Sequence, residues 1–294
     1  MLRRWRCRRV GGVGLLRTVR LGPEGCVRRS AGPGVGGVAF LSGNVVVVTG
    51  AASGIGRAAA LRLARAGWAV AAVDVDAAGL DGLAAEASGV RPFVCDVTDG
   101  EAVAAFALDV ARELGPPRRL VHSAGVGVMG PLLDQDPADT LRVMDIVYGG
   151  TLRMVHALVP LMAARGGGEV VLLGSIGGWV PVPMGGGYGA AKAAVHFLAE
   201  IVTAEHRADG IRVLCVCPPA VETPMLDRIR VETPQLLGPR PGLSIEAVLD
   251  SMDRALTRGR PWAFPGRGTR ALWTARRLAP RTLSGIIARK LVGK

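Results

Sequence analysis

Residues 44–56 read NVVVVTGAASGIG, a β-branched apolar run followed at once by spaced glycines. The run 44–48 is continuous rather than alternating, as expected of a strand buried on both faces of a parallel sheet. Gly50, Gly54 and Gly56 give a G-x-x-x-G-x-G spacing where this strand ends and an Ala/Leu/Arg helix begins. Glycines there permit a tight turn and let the backbone approach a pyrophosphate at the free N–H groups of the helix. The stretch therefore predicts a strand–turn–helix unit that binds a dinucleotide.

Strands and helices alternate from this unit to about residue 264. Six further strands are predicted, at 69–74, 91–95, 119–123, 169–174, 211–217 and 261–264. The predicted helices lie at about 57–66, 78–87, 99–114, 137–164, 187–207 and 244–257, with Ser244 as the N-cap of the last one. The proline-rich segment 218–243 is predicted to be irregular. This alternation predicts an α/β fold with a single Rossmann-type, doubly wound parallel sheet of about seven strands, flanked by helices.

Asp74 ends the second predicted strand, eighteen residues after Gly56. A carboxylate at that position can accept hydrogen bonds from the adenosine ribose hydroxyls and would repel a 2′-phosphate. Ser53 and Val75 occupy the positions where an arginine would welcome that phosphate. We therefore expect NAD rather than NADP as the cofactor. The alternative interpretation is a turn aspartate that merely ends the strand.

The net charge of +12 is concentrated at the two ends of the chain. Residues 1–40 contain nine arginines and one acid, and residues 254–294 contain eleven basic residues and no acid, which leaves −7 for the residues between them. A mildly acidic body argues against a nucleic-acid-binding fold. We divide the chain into a basic extension (1–40), an NAD-binding domain (41–266) and a basic C-terminal segment (267–294).

Three interpretations compete for residues 1–40: a disordered tail, an organelle-targeting peptide, or a start placed too far upstream. We favour the first or the third, because hydroxyl residues are scarce, and we expect a cytoplasmic protein.

The end 273–294 mixes apolar and basic residues, so it could lie on an anionic membrane surface. We favour instead a helix at the substrate pocket or at a subunit interface. No segment convincingly spans a membrane, because Gly, Ser and Pro interrupt the long uncharged stretches.

The cysteines and histidines show no metal-ligand spacing along the chain. No CxxC pair occurs among Cys7, Cys26, Cys95, Cys215 and Cys217. Cys215 and Cys217 alternate in an apolar run, which is typical of a strand, and we interpret the cysteines as small buried hydrophobes in a reducing compartment. His122 is expected to pack or to hydrogen-bond at a strand end rather than to catalyse, and no metal site is predicted.

The stretch 185–196 reads GGGYGAAKAAVH and contains Tyr188 and Lys192. Lys192 is the only lysine before Lys290 in a chain that otherwise uses arginine. Residues i and i+4 lie on one face of a helix, one turn apart. An ammonium beside a phenol favours the phenolate, so we expect the pKa of Tyr188 to lie below its usual value and Tyr188 to exchange protons near neutral pH. The alternative is an ordinary helical pair, because the YxxxK spacing is common.

Further motifs follow the glycine turn and Asp74 in a fixed order. They are CDVTD (95–99), HSAG (122–125), Ser175, YGAAK (188–192) and CPPAVETPM (217–225). Ser175 ends the fifth predicted strand and precedes Tyr188 by thirteen residues. Over about 41–266 the chain resembles the classical short-chain dehydrogenase/reductase family.

The resemblance implies hydride exchange between a nicotinamide cofactor and a substrate carbon. Tyr188 would transfer the proton of the substrate oxygen, Ser175 would hydrogen-bond that oxygen, and Lys192 would bind the nicotinamide ribose and keep Tyr188 acidic. The resemblance also implies that adenine lies at Asp96 and Val97 and the carboxamide at Val221 and Thr223. The full set of implied cofactor contacts is Gly50, Ser53, Gly54, Ile55, Gly56, Asp74, Asp96, Val97, Ser123, Ala124, Gly125, Tyr188, Lys192, Pro218, Val221 and Thr223.

Three positions depart from the family pattern. Val147 replaces an asparagine that helps to hold a proton-relay water, so the relay must take another route or turnover is impaired. The usual NNAG reads HSAG, with Ser123 in place of the second asparagine, and the usual Pro-Gly reads Pro218-Pro219, which removes an N–H. A nucleotide-binding protein that has lost turnover and acts as a sensor or scaffold is therefore a second hypothesis.

The loop 179–184, WVPVPM, is apolar, and the family places it over the substrate. Met225 and Leu226 are apolar as well, so we expect a small apolar secondary alcohol or ketone as substrate, although core packing would explain the same residues. The resemblance also implies a homodimer or homotetramer. Weak membrane-surface contact through the basic ends is a third hypothesis.

Overall fold

A computed structural model describes residues 44–237 and 241–292. Within these ranges seven strands form one parallel sheet in the order β3-β2-β1-β4-β5-β6-β7. The strands are β1 (Val45–Thr49), β2 (Ala69–Asp74), β3 (Val90–Val94), β4 (Arg119–His122), β5 (Gly168–Leu173), β6 (Ile211–Val216) and β7 (Trp262–Ala263). The strand order reverses between β1 and β4, where doubly wound sheets open a crevice at their carboxyl edge. The predicted fold class is confirmed.

Eleven helices occur in the described residues. They are α1 (Gly54–Arg65), α2 (Ala77–Glu86), α3 (Gly100–Glu113), α4 (Pro137–Met144), α5 (Gly150–Ala164), α6 (Gly186–His206), α7 (Pro224–Glu232), α8 (Pro234–Leu237), α9 (Ile245–Thr257), α10 (Thr269–Leu278) and α11 (Pro280–Val292). A π-helical turn, Asp145–Gly149, joins α4 to α5. The resulting helix, Pro137–Ala164, is long and apolar enough to cross a bilayer by length and composition, and here its buried face packs in the core of the protein.

Helices cover both faces of the sheet, which explains why its strands are apolar at every position. In β1, Val45 and Val47 pack into the layer that contains α3, α5 and α6, whereas Val46 and Val48 pack against α1, α2 and α9. All four valines are buried. A strand enclosed in this way has no solvent face to carry polar residues, so its continuous β-branched sequence follows from its position.

An ion triad lies at the amino end of three central strands. Glu169 on β5 is paired in register with Arg119 on β4 and with Arg212 on β6. Glu169 is 9% exposed, and its carboxylate accepts hydrogen bonds from the guanidinium groups of both arginines. A buried carboxylate needs such partners, because an unpaired charge in the interior is strongly destabilising. The triad therefore connects the three strands at the edge opposite to their carboxyl ends.

The prediction that 218–243 is irregular was wrong, because this segment contains α7 and α8. Two prolines of the segment begin helices, where a missing N–H costs nothing: Pro224 opens α7 and Pro234 opens α8, as Pro280 does for α11. Thr223 caps α7 by accepting a hydrogen bond from the backbone N–H of Leu226. The predicted cap of α9 is confirmed, since Ser244 Oγ accepts from Ala247 N at 3.3 Å. The predicted extension 1–40 lies outside the described residues.

Candidate active site

One cleft of about 700 Å³ opens at the carboxyl edge of the sheet. Its walls include Ser175, Tyr188 and Lys192, the three residues predicted to be catalytic. All the predicted cofactor contacts also line it, with the exception of Gly56. The structure thus gathers residues that are up to 173 positions apart in the chain, Gly50 and Thr223 being the extremes, around one space. That is the arrangement a nicotinamide dinucleotide and a small substrate would need together.

The glycine turn after β1 has the geometry of a phosphate-binding turn. Gly50 and Gly54 adopt φ values of +67° and +54°, and a Cβ on Gly50 would lie 2.9 Å from the backbone nitrogen of Ala124. Ser53 makes no side-chain cap to α1, and no acidic residue occupies the first turn of this helix. The N–H groups of α1 therefore face the cleft without a side chain that would repel an anion, so the turn fits a pyrophosphate.

Gly56 has a packing role in the same turn, so its prediction as a cofactor contact needs correction. A Cβ at this position would lie 2.1 Å from the carbonyl oxygen of Gly50. Gly56 is also buried and does not line the cleft. Gly56 lets α1 approach the end of β1 closely. This close approach positions Gly50 and Gly54 at the cleft.

Two carboxylates lie along the nucleotide end of the cleft. Asp74 accepts hydrogen bonds from the backbone N–H groups of Ala52, at 3.0 Å, and Asp76, at 3.1 Å. These bonds fix its carboxylate at the tip of β2. Hydrogen bonds from the backbone and side chain of Thr98 lower the pKa of Asp96. Both carboxylates therefore face the cleft in fixed orientations, Asp74 through two backbone hydrogen bonds and Asp96 through Thr98.

Tyr188 and Lys192 lie one turn apart on α6, beside Ser175 at the end of β5. Lys192 Nζ is 5.7 Å from the centroid of the Tyr188 ring and donates a hydrogen bond to the carbonyl of Leu173. Enclosure by the protein raises the pKa of Tyr188, and a hydrogen bond with Ser175 opposes this shift only in part. The expectation that the pKa of Tyr188 lies below its usual value was wrong for this structure, because desolvation by burial is the largest influence on the phenol.

The charge on Lys192 is itself weakened by burial. Desolvation lowers the pKa of Lys192 to about 8, although the nearby thiols of Cys215 and Cys217 favour the ammonium. The side chain is 6% exposed and belongs to both the cleft and the core behind it. Lys192 is therefore an ammonium at neutral pH that neutralises more readily than an ordinary lysine.

His122 has a structural role, as expected. The hydroxyl of Thr49 accepts hydrogen bonds from the backbone N–H groups of Ser123 and Ala124, so its own proton points to His122 Nδ1, 2.9 Å away. Burial lowers the pKa of His122 to about 3, with the charge of Lys192 adding to the effect. The neutral imidazole and Thr49 hold the HSAG segment against the end of β1, which fixes Ala124 at the floor of the cleft.

Val147 is buried in the π-helical turn between α4 and α5. A Cβ added to Gly125 would lie 3.5 Å from Val147 Cγ2 and 3.9 Å from Lys192 Nζ, so the valine and the lysine approach Gly125 together. A valine offers no hydrogen-bonding group to a water at that point. The hydrogen bond from Lys192 to the carbonyl of Leu173 is the polar contact that the structure provides in its place.

The end of the cleft beyond Tyr188 is apolar. The lining side chains that surround it are Met129, Val182, Met225, Leu226, Ile229 and Leu236. The basic residues among the described lining are Arg142 and Lys192, and Arg142 acts on Asp96 at the nucleotide end. Glu222 ties the wall together, since Arg230 donates two hydrogen bonds of 2.8 Å to its carboxylate and the backbone N–H of Gly242 donates a third.

Trp179 was predicted with its loop to cover the substrate, but it lies away from the cleft. Its ring stacks on His196 at 4.9 Å and meets Trp262 and Trp273 edge-on at 5.3 and 6.1 Å. Within this loop it is Val182 that lines the cleft. The sequence shows an apolar loop but not which of its residues face the core, because helix α10 supplies the aromatic partner Trp273 from far along the chain.

Sequence reasoning also missed a cluster of three buried side chains behind Lys192. The cluster consists of His196 on α6, Cys215 on β6, and Cys217, which directly follows β6. Their ligand atoms lie within 4.8 Å of one another. Hydrogen bonds to Cys215 and His196 overcome desolvation and lower the pKa of Cys217, whereas burial raises the pKa of Cys215. The Cys-x-Cys alternation on a strand beside the YxxxK helix was the available signal. We refer to these three residues as the thiol–imidazole cluster.

Comparison with known proteins agrees with this geometry. The probable oxidoreductase EphD of Mycobacterium tuberculosis is 35% identical over 189 residues, which are 63% of this chain and 32% of EphD, so the chain matches about a third of that protein. The D-threitol dehydrogenase of Mycolicibacterium smegmatis is 38% identical over 187 residues, or 62% of this chain and 72% of the enzyme.

Solved structures give the same answer. A short-chain dehydrogenase from Burkholderia cenocepacia in complex with NADP superposes with a TM-score of 0.73 at 27% identity, covering 83% of this chain and 97% of that one. A Burkholderia phymatum protein in complex with NAD gives a TM-score of 0.72 at 26% identity, covering 81% and 94%. The family model described as short chain dehydrogenase matches residues 44–233. The chain therefore belongs to the short-chain dehydrogenase/reductase family of oxidoreductases.

Proposed function

We propose that this protein transfers hydride between NAD(H) and a small apolar secondary alcohol or ketone, with Tyr188 as the general acid and base. The observation that carries the proposal is the convergence of Ser175, Tyr188 and Lys192 on one cleft that also contains the glycine turn after β1. Nicotinamide cofactors are found in solved relatives of the chain, as NADP in one and NAD in another.

The preference for NAD rests on the charges near Asp74. Its carboxylate is fixed at the cleft by two backbone N–H groups, with lone pairs left for ribose hydroxyls. The nearest basic residue of α1, Arg57, pairs with Glu86 at 2.5 Å and does not line the cleft. A 2′-phosphate beside Asp74 would therefore meet negative charge, and neither Ser53 nor Val75 offers it a cation, which disfavours NADP.

The chemistry divides between the cofactor and the side chains of the chain. A bound nicotinamide ring would supply the hydride acceptor or donor. The raised pKa of Tyr188 keeps its phenol protonated at neutral pH, so Tyr188 is ready to donate a proton to a ketone oxygen that Ser175 also holds. Oxidation of the alcohol requires the phenolate, so we expect its rate to rise with pH throughout the range from about 7 to 10, while reduction, which uses the protonated phenol, stays nearly constant there.

An apolar substrate fits the residues that remain around Tyr188. Met129, Val182 and Met225 surround the space with hydrocarbon and thioether groups, and no charged side chain among the described lining lies at this end to pair with a carboxylate or phosphate. Removal of apolar surface from water would supply most of the binding free energy. The named relative that acts on D-threitol has a polar substrate, so the wall of this cleft is the place where specificity would differ.

A nucleotide-binding sensor without turnover remains the second candidate, and Val147 favours it. Burial of this valine beside Gly125 leaves the cleft without a side-chain anchor for a relay water near Lys192. The two functions give different results in one assay: cofactor binding accompanies turnover in the enzyme and occurs alone in the sensor.

The experiment is a screen of hydrophobic alcohols and ketones with NAD(H) and with NADP(H), read by nicotinamide absorbance. Tyr188→Phe removes the proton-transferring oxygen and should lower kcat at least about 10³-fold while cofactor binding is retained. Tyr148→Phe is the matched control, because Tyr148 is the only other tyrosine in the chain and does not line the cleft. Equal activity in the wild type and Tyr188→Phe would contradict the assignment of Tyr188.

A further inference from the structure

The thiol–imidazole cluster of His196, Cys215 and Cys217 lies behind the active site and has no part in the proposed hydride transfer. The Sγ atoms of Cys215 and Cys217 are 4.0 Å apart, and Cys217 Sγ is 3.4 Å from His196 Nε2. All three residues are buried, at 3% exposure or less. Trp179 stacks on the imidazole and Trp262 meets it edge-on, so aromatic rings close the side that faces away from the cleft.

We propose that this cluster binds one soft, monovalent d¹⁰ cation, Cu(I), through the two sulfurs and His196 Nε2. Two metal–sulfur bonds of about 2.3 Å at a trigonal angle hold their sulfurs about 4.0 Å apart, which is the separation observed here. Thiolate and imidazole are ligands that soft cations of this kind prefer. Binding releases the two thiol protons and requires no change of oxidation state.

The number of ligands favours copper over zinc. Structural zinc sites take four ligands in a tetrahedron, and the described residues offer three converging ligand atoms here. The surroundings are aromatic rings and β-sheet, and the cluster lies outside the cleft, so water is poorly placed to supply a fourth ligand. A three-coordinate site in an apolar enclosure suits Cu(I).

Charge balance leads to the same cation. Two thiolates and one monovalent ion carry a net charge of −1, and the ammonium of Lys192, one turn before His196 on α6, would balance it. A divalent ion would leave the ammonium unbalanced in a buried region, which is costly. The geometry of the helix therefore supplies a counter-charge that matches only the monovalent ion.

The cluster lies behind the floor of the cleft, next to Gly174. A Cβ on Gly174 would lie 2.5 Å from His196 Nε2 and 2.9 Å from Cys215 Sγ, and Gly174 itself lines the cleft. A residue without a side chain thus lies between the cluster and the cleft, which leaves room for an ion at the cluster. The Nε2 lone pair accepts a long bond of 3.3 Å from the backbone N–H of Ser175, and the cation would replace it.

The test uses the full-length chain with Cys7→Ser, Cys26→Ser and Cys95→Ser, so that Cys215 and Cys217 are its remaining thiols. Under anaerobic conditions this protein is titrated against Cu(I) held by bathocuproine disulfonate, a chromophoric chelator. We expect the protein to withdraw one equivalent of Cu(I). Adding Cys215→Val and Cys217→Val, which keep the sites small and apolar, should weaken the competition at least about 100-fold.

Two further measurements keep the result independent of folding defects. X-ray absorption of the copper-loaded triple variant should show two sulfur neighbours and one nitrogen neighbour, without need of any change at the ligands. Circular dichroism checks that the valine variant is folded. Failure to withdraw copper, equal competition by a folded valine variant, or tighter binding of Zn²⁺ than of Cu(I) would each overturn the proposal. Cofactor binding and turnover are measured on metal-free protein, so the proposed function is judged separately.

Discussion

The two ends of the cleft are built from different parts of the chain. The nucleotide end is formed by short turns directly after β1, β2 and β3, and its glycine turn is fixed by positive φ values and by the close backbone contacts of Gly50 and Gly56. The substrate end is formed by longer segments after β4, β5 and β6, and apolar side chains such as Met129, Val182 and Met225 line it. A turn fixed by its own backbone tolerates little change, whereas apolar lining side chains can be altered residue by residue. The difference teaches where this fold is fixed and where specificity can vary.

The largest expected effect comes from disturbing the glycine turn at the nucleotide end. Gly56→Ala places a methyl group 2.1 Å from the carbonyl oxygen of Gly50, so α1 must move away from β1. We expect a loss of at least about 3 kcal/mol of unfolding free energy and of most cofactor affinity, measured by denaturant titration and by cofactor fluorescence. Gly82→Ala on α2 is the control, because a Cβ there meets nothing within 4 Å. A stable, cofactor-binding Gly56→Ala protein would show that the turn is not rigid.

Lys192 lies where the two ends meet, and its burial makes stability depend on pH. Its pKa falls from 10.5 to about 8 on folding, so the unfolded chain binds more protons between these values and stability rises with pH there. Lys192→Met removes this titration. Between pH 8 and 10.5 the unfolding free energy of the wild type should rise by about 3 kcal/mol relative to that of the variant. Urea unfolding of both proteins at both pH values measures this difference. Parallel pH profiles would contradict the burial of the ammonium.

A smaller effect is expected from the charge at the nucleotide end. Asp74→Asn keeps the shape of the side chain and one carbonyl oxygen but removes the charge that opposes a 2′-phosphate. The ratio of kcat/KM for NADP to that for NAD should rise about tenfold, which corresponds to about 1.4 kcal/mol. Asp81→Asn on the exposed surface of α2 is the matched control. An unchanged ratio would mean that Asp74 does not determine the choice of cofactor.

The smallest effect is expected at the substrate end. Met225→Gln keeps the length of the side chain and makes it polar, so kcat/KM for an apolar ketone should fall about fivefold while the Kd of the cofactor is unchanged. Val231→Gln on the same helix should have no effect, because Val231 is 82% exposed. A larger loss for Val231→Gln than for Met225→Gln would place the substrate elsewhere.

The sequence predicted the nucleotide end well because its signals are local. The strand run 44–48, the glycine spacing and Asp74 each depend on neighbours within a few residues: the run forms β1, the glycines follow it, and Asp74 ends β2. Even there one residue had another role: Gly56 is required by contact between α1 and Gly50 rather than by the cofactor. Spacing alone does not separate a glycine that faces a ligand from one that faces its own backbone.

The features that escaped prediction depend on distant contacts. Trp179 faces the core because Trp273 of α10 packs against it, and the thiol–imidazole cluster forms because α6 lies beside β6. The pKa of Tyr188 rises because residues from several elements surround its phenol. Pro224 and Pro234 begin helices within 218–243, which the sequence leaves open because proline is equally suited to loops.

The ion triad of Arg119, Glu169 and Arg212 lies at the opposite edge of the sheet from Ser175 and Tyr188, yet it fixes the strand register that places Ser175. Strands rise about 3.3 Å per residue, so a slip of β5 by one position would carry Ser175 that distance out of reach of the Tyr188 hydroxyl. The same slip would separate the Glu169 carboxylate from its partners Arg119 and Arg212. The ion pairs at the amino edge of the sheet thus favour the register that brings Ser175 and Tyr188 together at the carboxyl edge.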